Sequence, residues 1–306
     1  MRRLATGVLL VLVGVGLLAD CIASDRPIVL SLDGETYWFP NVIEYDALRG
    51  VSGDRLSARM TQADWALWPP VRYGPTNVRT RGEILVTRAP SGEHWLGTDD
   101  RGRDVLSRLV HGTRATFQMA AGAAAVAAVL GLVLAVCAVG FGHRIDFAVV
   151  TGIDAVTAFP ALLVVVAAQG LLGTASIAAA IVIIALPRAA DTARLARADL
   201  SAALSSPFCD AARALGATRA RVILRHALPH AWPQLAVATA LTAATAVLAE
   251  AALSFLGFGT PPPQASWGEL LKQAFENGLA WWLVVPGGLA VAVCAGALGS
   301  LAQPRP

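Results

Sequence analysis

The residues whose types and spacing could do chemistry are few, and they point to a grip for another protein rather than to a reaction. Asp210, Ala211 and Ala212, then Gly216, then His226, Leu228 and Pro229 lie in an arginine-rich stretch between two apolar blocks. Ser206 and Pro207 suit the N-cap and first position of a helix, and Asp210 falls in its first turns, where the helix dipole favours a carboxylate. Alanines keep that helix slim, and Gly216 permits the chain to reverse after it. Thr218 can open a second helix ending near Pro229. Such a thin, glycine-hinged element can slot into a groove on a partner and carry rigid motion. A solvated basic loop, placed only by the preference of arginine for the cytosolic side of a membrane, is the alternative reading.

Other chemistry is poorly supplied. A nucleotide-binding P-loop needs a lysine after its glycine-rich turn, and the one lysine of the chain, Lys272, sits in Leu270-Leu271-Lys272-Gln273. His226 and His230 have helical i, i+4 spacing, but Pro229 interrupts the turn between them, so no metal site is expected. Cys21, Cys137, Cys209 and Cys294 are isolated and imply neither a disulfide nor a metal framework. No catalytic residue and no cofactor are expected. Two carboxylates fall in or near apolar blocks. Glu250 and Asp154 are costly in lipid, so each faces a bundle interior or a wet cavity. Either one lines a translocation path or hydrogen-bonds a neighbouring helix, and the second role is favoured for both.

The elements that must position these residues are membrane helices. The chain has 306 residues, 56% of them hydrophobic and 15% charged, with a mean hydropathy of +0.59. That is too apolar for an ordinary soluble domain. Its net charge of +3 carries no nucleic-acid signal. Apolar blocks of spanning length lie at Leu4–Ala19, Ala115–Gly142, Phe147–Gly170, Thr174–Leu186, Ala231–Gly259 and Trp281–Leu301. Six spans are expected, the first and fourth being short. Arg2 and Arg3, Arg144, and the seven arginines from Arg188 to Arg225 mark one side as cytosolic. Both termini are then cytosolic, and residues 20–114 lie outside. Alanine and glycine runs in the spans permit close helix approach.

The division expected is an N-terminal signal-anchor helix over 1–19, an extracytoplasmic segment over 20–114, and a transmembrane domain over 115–306 with a cytosolic loop at 188–230. Leu17-Leu18-Ala19-Asp20-Cys21 looks like a damaged lipobox, because Asp20 stands where a small residue is wanted. An uncleaved anchor is therefore preferred to a cleaved signal. The outside segment reads as loop-rich, with short strands at 37–40 and 82–87.

Longer motifs add a family resemblance. Asp210-Ala211-Ala212, Gly216 and His226-Ala227-Leu228-Pro229 resemble the coupling loop of permeases in ATP-binding-cassette (ABC) importers, with Asp210 in place of the usual glutamate. The stretch His94 to Arg114, including Gly97-Thr98-Asp99 and Gly102-Arg103-Asp104-Val105-Leu106-Ser107-Arg108, is similar to the signature before the second span of C-type permeases in dipeptide and oligopeptide importers. Ala249 to Gly259, Pro261-Pro262-Pro263, Ser266-Trp267-Gly268 and Trp281-Trp282-Leu283 match further signatures in order. Pieces around Gly34–Pro40 and Trp68–Tyr73 resemble the E subunit of Yej-type peptide importers.

The resemblance implies an all-α integral membrane protein with the type I importer permease fold and a loop-rich insertion after the first helix. It implies partners as well: a homologous permease, two ATP-binding cassette subunits that hydrolyse ATP, an extracytoplasmic solute-binding protein, and membrane lipid. Asp210, Ala211, Ala212, Gly216, His226, Leu228 and Pro229 would couple to the ATPases, and Glu250 and Asp154 would be candidates for the path. Import of nickel or another small solute, and a membrane scaffold without transport, are the rival readings. The chain is not expected to be an enzyme.

Overall fold

The computed structural model describes residues 2–78, 86–172, 177–259, 264–278 and 280–303. It divides into two compact units, one of 1–7, 118–249 and 294–306, the other of 8–117 and 250–293. The principal helices are α1 (Arg2–Leu17), a short α2 (Ala19–Ile22), α3 (Gly53–Arg59), α4 (Val105–Gly140), α5 (His143–Thr157), α6 (Ala161–Leu172), α7 (Ile177–Leu204), α8 (Pro207–Ala214), α9 (Arg219–Val222), α10 (Leu228–Leu256), α11 (Trp267–Glu276) and α12 (Trp281–Leu301). Among the described residues three helices are each long and apolar enough to cross a membrane: Val105–Gly140, Arg219–Leu256 and Trp281–Leu301. At 1.5 Å per residue the first two run to roughly 55 Å, well beyond a hydrocarbon core of about 30 Å, so their ends project past it.

In the first unit, α4 and α7 meet through small residues. A Cβ on Gly122 would lie 2.7 Å from the Ile181 side chain, and one on Gly131 would lie 2.7 Å from Thr192 Cβ and 2.9 Å from Ala189 O. Backbones that close are possible only where a side chain is missing, which is how helices associate when lipid offers no hydrophobic drive. Arg2 Nη2 donates to Leu301 O at 2.5 Å, so the two chain ends of this unit meet.

Two expectations about the spans are corrected. The block Phe147–Gly170 is not one helix: α5 stops at Thr157 and α6 starts at Ala161. Pro160 lacks an N–H and biases Phe159 away from helical backbone, and its carbonyl instead accepts the first bond of α6, from Leu163 N–H at 2.9 Å. The block Thr174–Leu186, which the sequence allows to run through Pro187 into the next turn, continues much further than that. Residues 174–176 lie outside the described residues, and α7 runs on through Pro187 to Leu204. Beyond the proline Ala189, Ala193, Ala196, Leu200 and Ala203 are buried at helical spacing, while Arg188, Asp191, Arg194 and Arg197 occupy the other positions. Amphipathic periodicity, not hydropathy, holds this half of the helix.

The second unit carries a small sheet, ordered β2-β1-β3 and antiparallel, from β1 (Val29–Leu32), β2 (Glu35–Trp38) and β3 (Trp65–Leu67). The strand expected at 37–40 is β2, shifted by two residues. The one expected at 82–87 falls mostly outside the described residues, and Thr87 has a φ of 49°. One sheet face packs Leu30 and Leu32 against Leu48 and Leu56. Arg114 ties α1 to α4. It donates to Gly16 O at 2.9 Å and Leu17 O at 3.3 Å, the orphan carbonyls of a helix end, and pairs with Asp20 at 2.7 Å. The aspartate that spoils the lipobox therefore caps the first helix through an arginine.

Candidate functional site

The loop singled out in the sequence is a helical hairpin built on the first unit. Ser206 has extended backbone before Pro207, the first residue of α8. Its hydroxyl donates to Ala203 O, so it makes no side-chain cap of its own. After α8, Gly216 takes a φ of +83°. Gly216 N–H donates to Arg213 O at 2.9 Å and Ala217 N–H to Ala212 O at 3.0 Å. This paired bonding around a left-handed glycine is a Schellman-type termination. The Ala-Ala-to-Gly spacing thus has a geometric cause. Ala212 and Ala217, the two ends of the outer bond, both pack on one apolar cluster.

That cluster anchors the hairpin. Cys209, fully buried, sits with Val222 and Ala227 against Ala135 of α4 and Ala196, Leu200 and Ala203 of α7. Sequence reasoning gave Cys209 no role beyond an isolated cysteine; it behaves as a small apolar plug. The opposite surface of α8 is open. Asp210 and Ala211 are exposed, and Leu215 at the tip is 89% exposed. Asp210 Oδ1 accepts from Arg213 Nη1 at 2.6 Å, and Arg213 Nη2 reaches Leu204 O at 2.8 Å. Phe208 packs with its ring centroid 5.9 Å from that of His230.

The return helix departs from expectation. Thr218 does open it, accepting from Arg221 N–H at 3.4 Å. It does not end at Pro229 but passes through a π-type turn, Ile223–Ala227, into α10. The wider turn falls at residue 225, where the ring of Pro229 would otherwise clash with the carbonyl four residues back. His226 lies in this turn and is exposed, Leu228 is half-buried and Pro229 is exposed. Asp154 Oδ1 accepts from Arg194 Nη2 at 2.8 Å, a guanidinium that also donates to Thr157 Oγ1 at 2.9 Å, joining α5 to α7. Two turns toward the start of α5, the hydrogen-bonding Arg197 guanidinium holds the Asp146 carboxyl below the usual carboxylate range.

The remaining motifs converge in the second unit. Glu250 is 2% exposed, and its Oε1 accepts from the hydroxyls of Ser254 and Ser266, both at 2.8 Å. Ser266 also caps α11, accepting from Gly268 N–H at 3.1 Å. Trp267 is buried and donates its Nε1–H to Leu109 O at 2.9 Å over Gly112, where a Cβ would lie 2.8 Å from the indole. Gly268 lies so near α10 that a Cβ would meet Ala251 O at 2.4 Å. Glu250 is therefore a bridge between α10 and the start of α11. Replacing it with Gln is expected to keep both hydroxyl bonds. Replacing it with Leu is expected to strand two buried hydroxyls at about 1–3 kcal/mol each, seen as a lower melting temperature of the purified protein; unchanged melting in Glu250→Leu would contradict the bridge.

A buried ionic network lies beside it. Asp99 Oδ1 accepts from Arg101 and Arg103 N–H, both at 2.9 Å, and its Oδ2 accepts from Arg103 Nε at 2.7 Å. Arg103 Nη2 and Arg108 Nη2 both reach Glu269 of α11, the former at 3.3 Å. Arg108, wholly buried, also donates to Pro75 O at 3.0 Å. Asp104 Oδ1 caps α4 through Ser107 N–H at 2.7 Å, and its Oδ2 meets His94 Nδ1 at 2.8 Å. Burial and the nearby Asp99 charge push the Asp100 carboxyl above the usual carboxylate range. Arg103, Asp104 and Arg108 lie close enough in the chain to pair locally. Glu269, 161 residues from Arg108, carries no such signal, because no sequence spacing links them.

These features define a helical membrane subunit with a projecting cap-locked hairpin and with no P-loop in its sequence. The chain belongs to the family described as binding-protein-dependent transport system inner membrane component, whose sequence model matches residues 127–303. It is similar to the dipeptide transport system permease protein DppC of Alkalihalophilus pseudofirmus, at 34% identity over 70% of this chain and 69% of that one. It is also similar to the inner membrane ABC transporter permease protein YejE of Escherichia coli, at 28% identity over 94% of this chain and 86% of that one. A crystal structure of an amino acid ABC transporter with histidines superposes with a TM-score of 0.50 at 18% identity, covering 64% of this chain and 92% of that one. That likeness shows the type I permease fold. The protein is an inner-membrane permease subunit of an ABC importer, works with a binding protein and an ATPase, and is not itself the enzyme.

Proposed function

We propose that this chain is the permease of a peptide importer, with a homologous permease, two ATP-binding cassette subunits and an extracytoplasmic peptide-binding protein as its partners. The peptide assignment is supported by the names of relatives such as DppC. The hairpin of α8 and α9 is the part the ATPases grip, with Asp210, Ala211, Ala212, Gly216, His226, Leu228 and Pro229 within it. One observation carries this: α8 is exposed along Asp210, Ala211 and Leu215 yet locked at its base to α4 and α7 through Cys209. A push on the tip must therefore reach the helices. Residues 1–19 form an anchor, 20–114 lie outside, and the loop 188–230 is cytosolic, as the arginine distribution favours. Closure of the ATPase pair shifts the population of the permease between inward- and outward-open states. Glu250 and Asp154 serve packing rather than substrate contact, since each is engaged by neighbouring side chains.

Reconstitution of the whole transporter with its binding protein tests this. ATP-driven accumulation of labelled di- to pentapeptides in proteoliposomes is the expected result. Accumulation of nickel instead would assign another solute, and an intact complex with no uptake would leave a scaffold.

A further inference from the structure

Beside the hairpin, the first unit carries a cleft of about 650 Å³ whose wall includes Val139, His143, Arg197, Ser201, Arg213 and Arg219. Its charge is lopsided. Three arginines face one carboxylate in the wall, Asp146, and Arg213 shares Asp210 from outside it. The partners in place do not exhaust these cations. Arg197 uses Nε and Nη2 on Asp146, Arg213 spends its two Nη groups on Asp210 and Leu204 O, and Arg219 uses Nη2 on Val139 O at 2.7 Å. A guanidinium offers five N–H donors, so each keeps some for an anion.

The position of the cleft restricts that anion. Val139 belongs to the last turn of α4, where a span ends, and in the chain Phe141 and Phe147, which flank the lining residues Gly142, His143 and Asp146, are 74% and 66% exposed. Leu204, Val222 and Ala138 supply an apolar part of the wall. Arginines and apolar side chains sharing one wall at the end of a span fit a headgroup phosphate with hydrocarbon beside it. A soluble phosphate would use the first feature and waste the second.

We propose that this cleft is a binding site for an anionic phospholipid, its phosphate held by Arg197, Arg213 and Arg219. The cleft takes in Arg213 and Arg219 of the hairpin together with Val139 of α4 and Arg197 of α7, so an occupied cleft would brace the hairpin against both helices. The inference goes beyond the transport reading and stands apart from it.

The test uses the complete complex, purified in a nonionic detergent and titrated with phosphatidylglycerol or phosphatidylcholine, with bound lipid counted by native mass spectrometry. One phosphatidylglycerol per copy of this chain is expected to outlast phosphatidylcholine. Arg213→Gln with Arg219→Gln should weaken its retention about thirty-fold, taking roughly 1 kcal/mol for each arginine near a lipid surface. Ser201→Trp, which fills the cleft and leaves the arginines, should also release it. The second variant decides the matter if the first sheds its ATPases. Equal retention of the two lipids, or retention unaltered by Ser201→Trp, would overturn the proposal. Displacement by millimolar inorganic phosphate would reassign the site to a soluble anion. Because lipid is counted directly, a complex that imports no peptide still reports whether the cleft holds lipid.

Discussion

Glu269→Leu is expected to remove most of the folded protein from the membrane. Glu269 is the acceptor that Arg103 and Arg108 share, and the Arg108 side chain is wholly buried. Leucine would leave the two guanidiniums sharing Asp99, with Asp100 no nearer than 3.9 Å to Arg103 and only backbone carbonyls such as Pro75 O besides for Arg108. Breaking a buried pair by deleting one partner costs about 3–5 kcal/mol, a large part of the roughly 5–15 kcal/mol that stabilises a domain. The sign of the effect comes from stranding a charge rather than from losing a contact. Arg108→Met combined with Glu269→Leu should therefore recover part of the loss, because the charge is removed together with its partner. Thermal unfolding of the detergent-purified variants reads both outcomes. A Glu269→Leu protein that accumulates and melts like the parent would show that the network contributes little.

Gly216→Val is expected to leave insertion intact and abolish stable association with the ATPases. The cost is conformational: a Cβ at this position would meet nothing within 4 Å, but the φ of +83° is one that β-branched residues avoid. Strain of about 1–3 kcal/mol would undo the Schellman-type termination and re-aim α8. Gly216→Asn supplies the discriminating control, since asparagine tolerates left-handed backbone far better. If Asn preserves association and Val destroys it, the demand is on backbone geometry. Failure of both would mean that the partner's groove leaves no room for a side chain. Normal association in Gly216→Val would remove the glycine from the coupling account.

Much of this is legible in sequence because local rules produce it. Ser206-Pro207, Gly216 and Thr218 announce the ends of two helices, and the structure has those ends at those residues. Small residues in the spans, Gly131 among them, mark close approach, though only coordinates tell which partner is approached. The misses share a cause. Hydropathy cannot see α7 beyond Pro187, because alanine at every third or fourth position buries well while scoring weakly. The break at Pro160 is written in the sequence but is masked by the length of the apolar block. The π-type turn before Pro229 converts a helix stop into a continuous helix; the proline is visible in the sequence, but it fits a stop as well as a widened turn. Glu269 and Cys209 escape notice because their partners are remote in the chain, and only folding brings them together.

The most direct test of the coupling account is a photo-crosslinking amino acid at position 215, with the same probe at Trp38 as a control. Both sites are exposed, at 89% and 60%, so neither probe should disturb packing. In membranes carrying the complete transporter, the probe at 215 should join this chain to an ATP-binding subunit, more strongly with the non-hydrolysed nucleotide state trapped. The probe at 38 should never reach that subunit. An adduct between position 38 and the ATPase, or a probe at 215 that finds only lipid or the binding protein, would contradict both the assigned side of the membrane and the role of the hairpin.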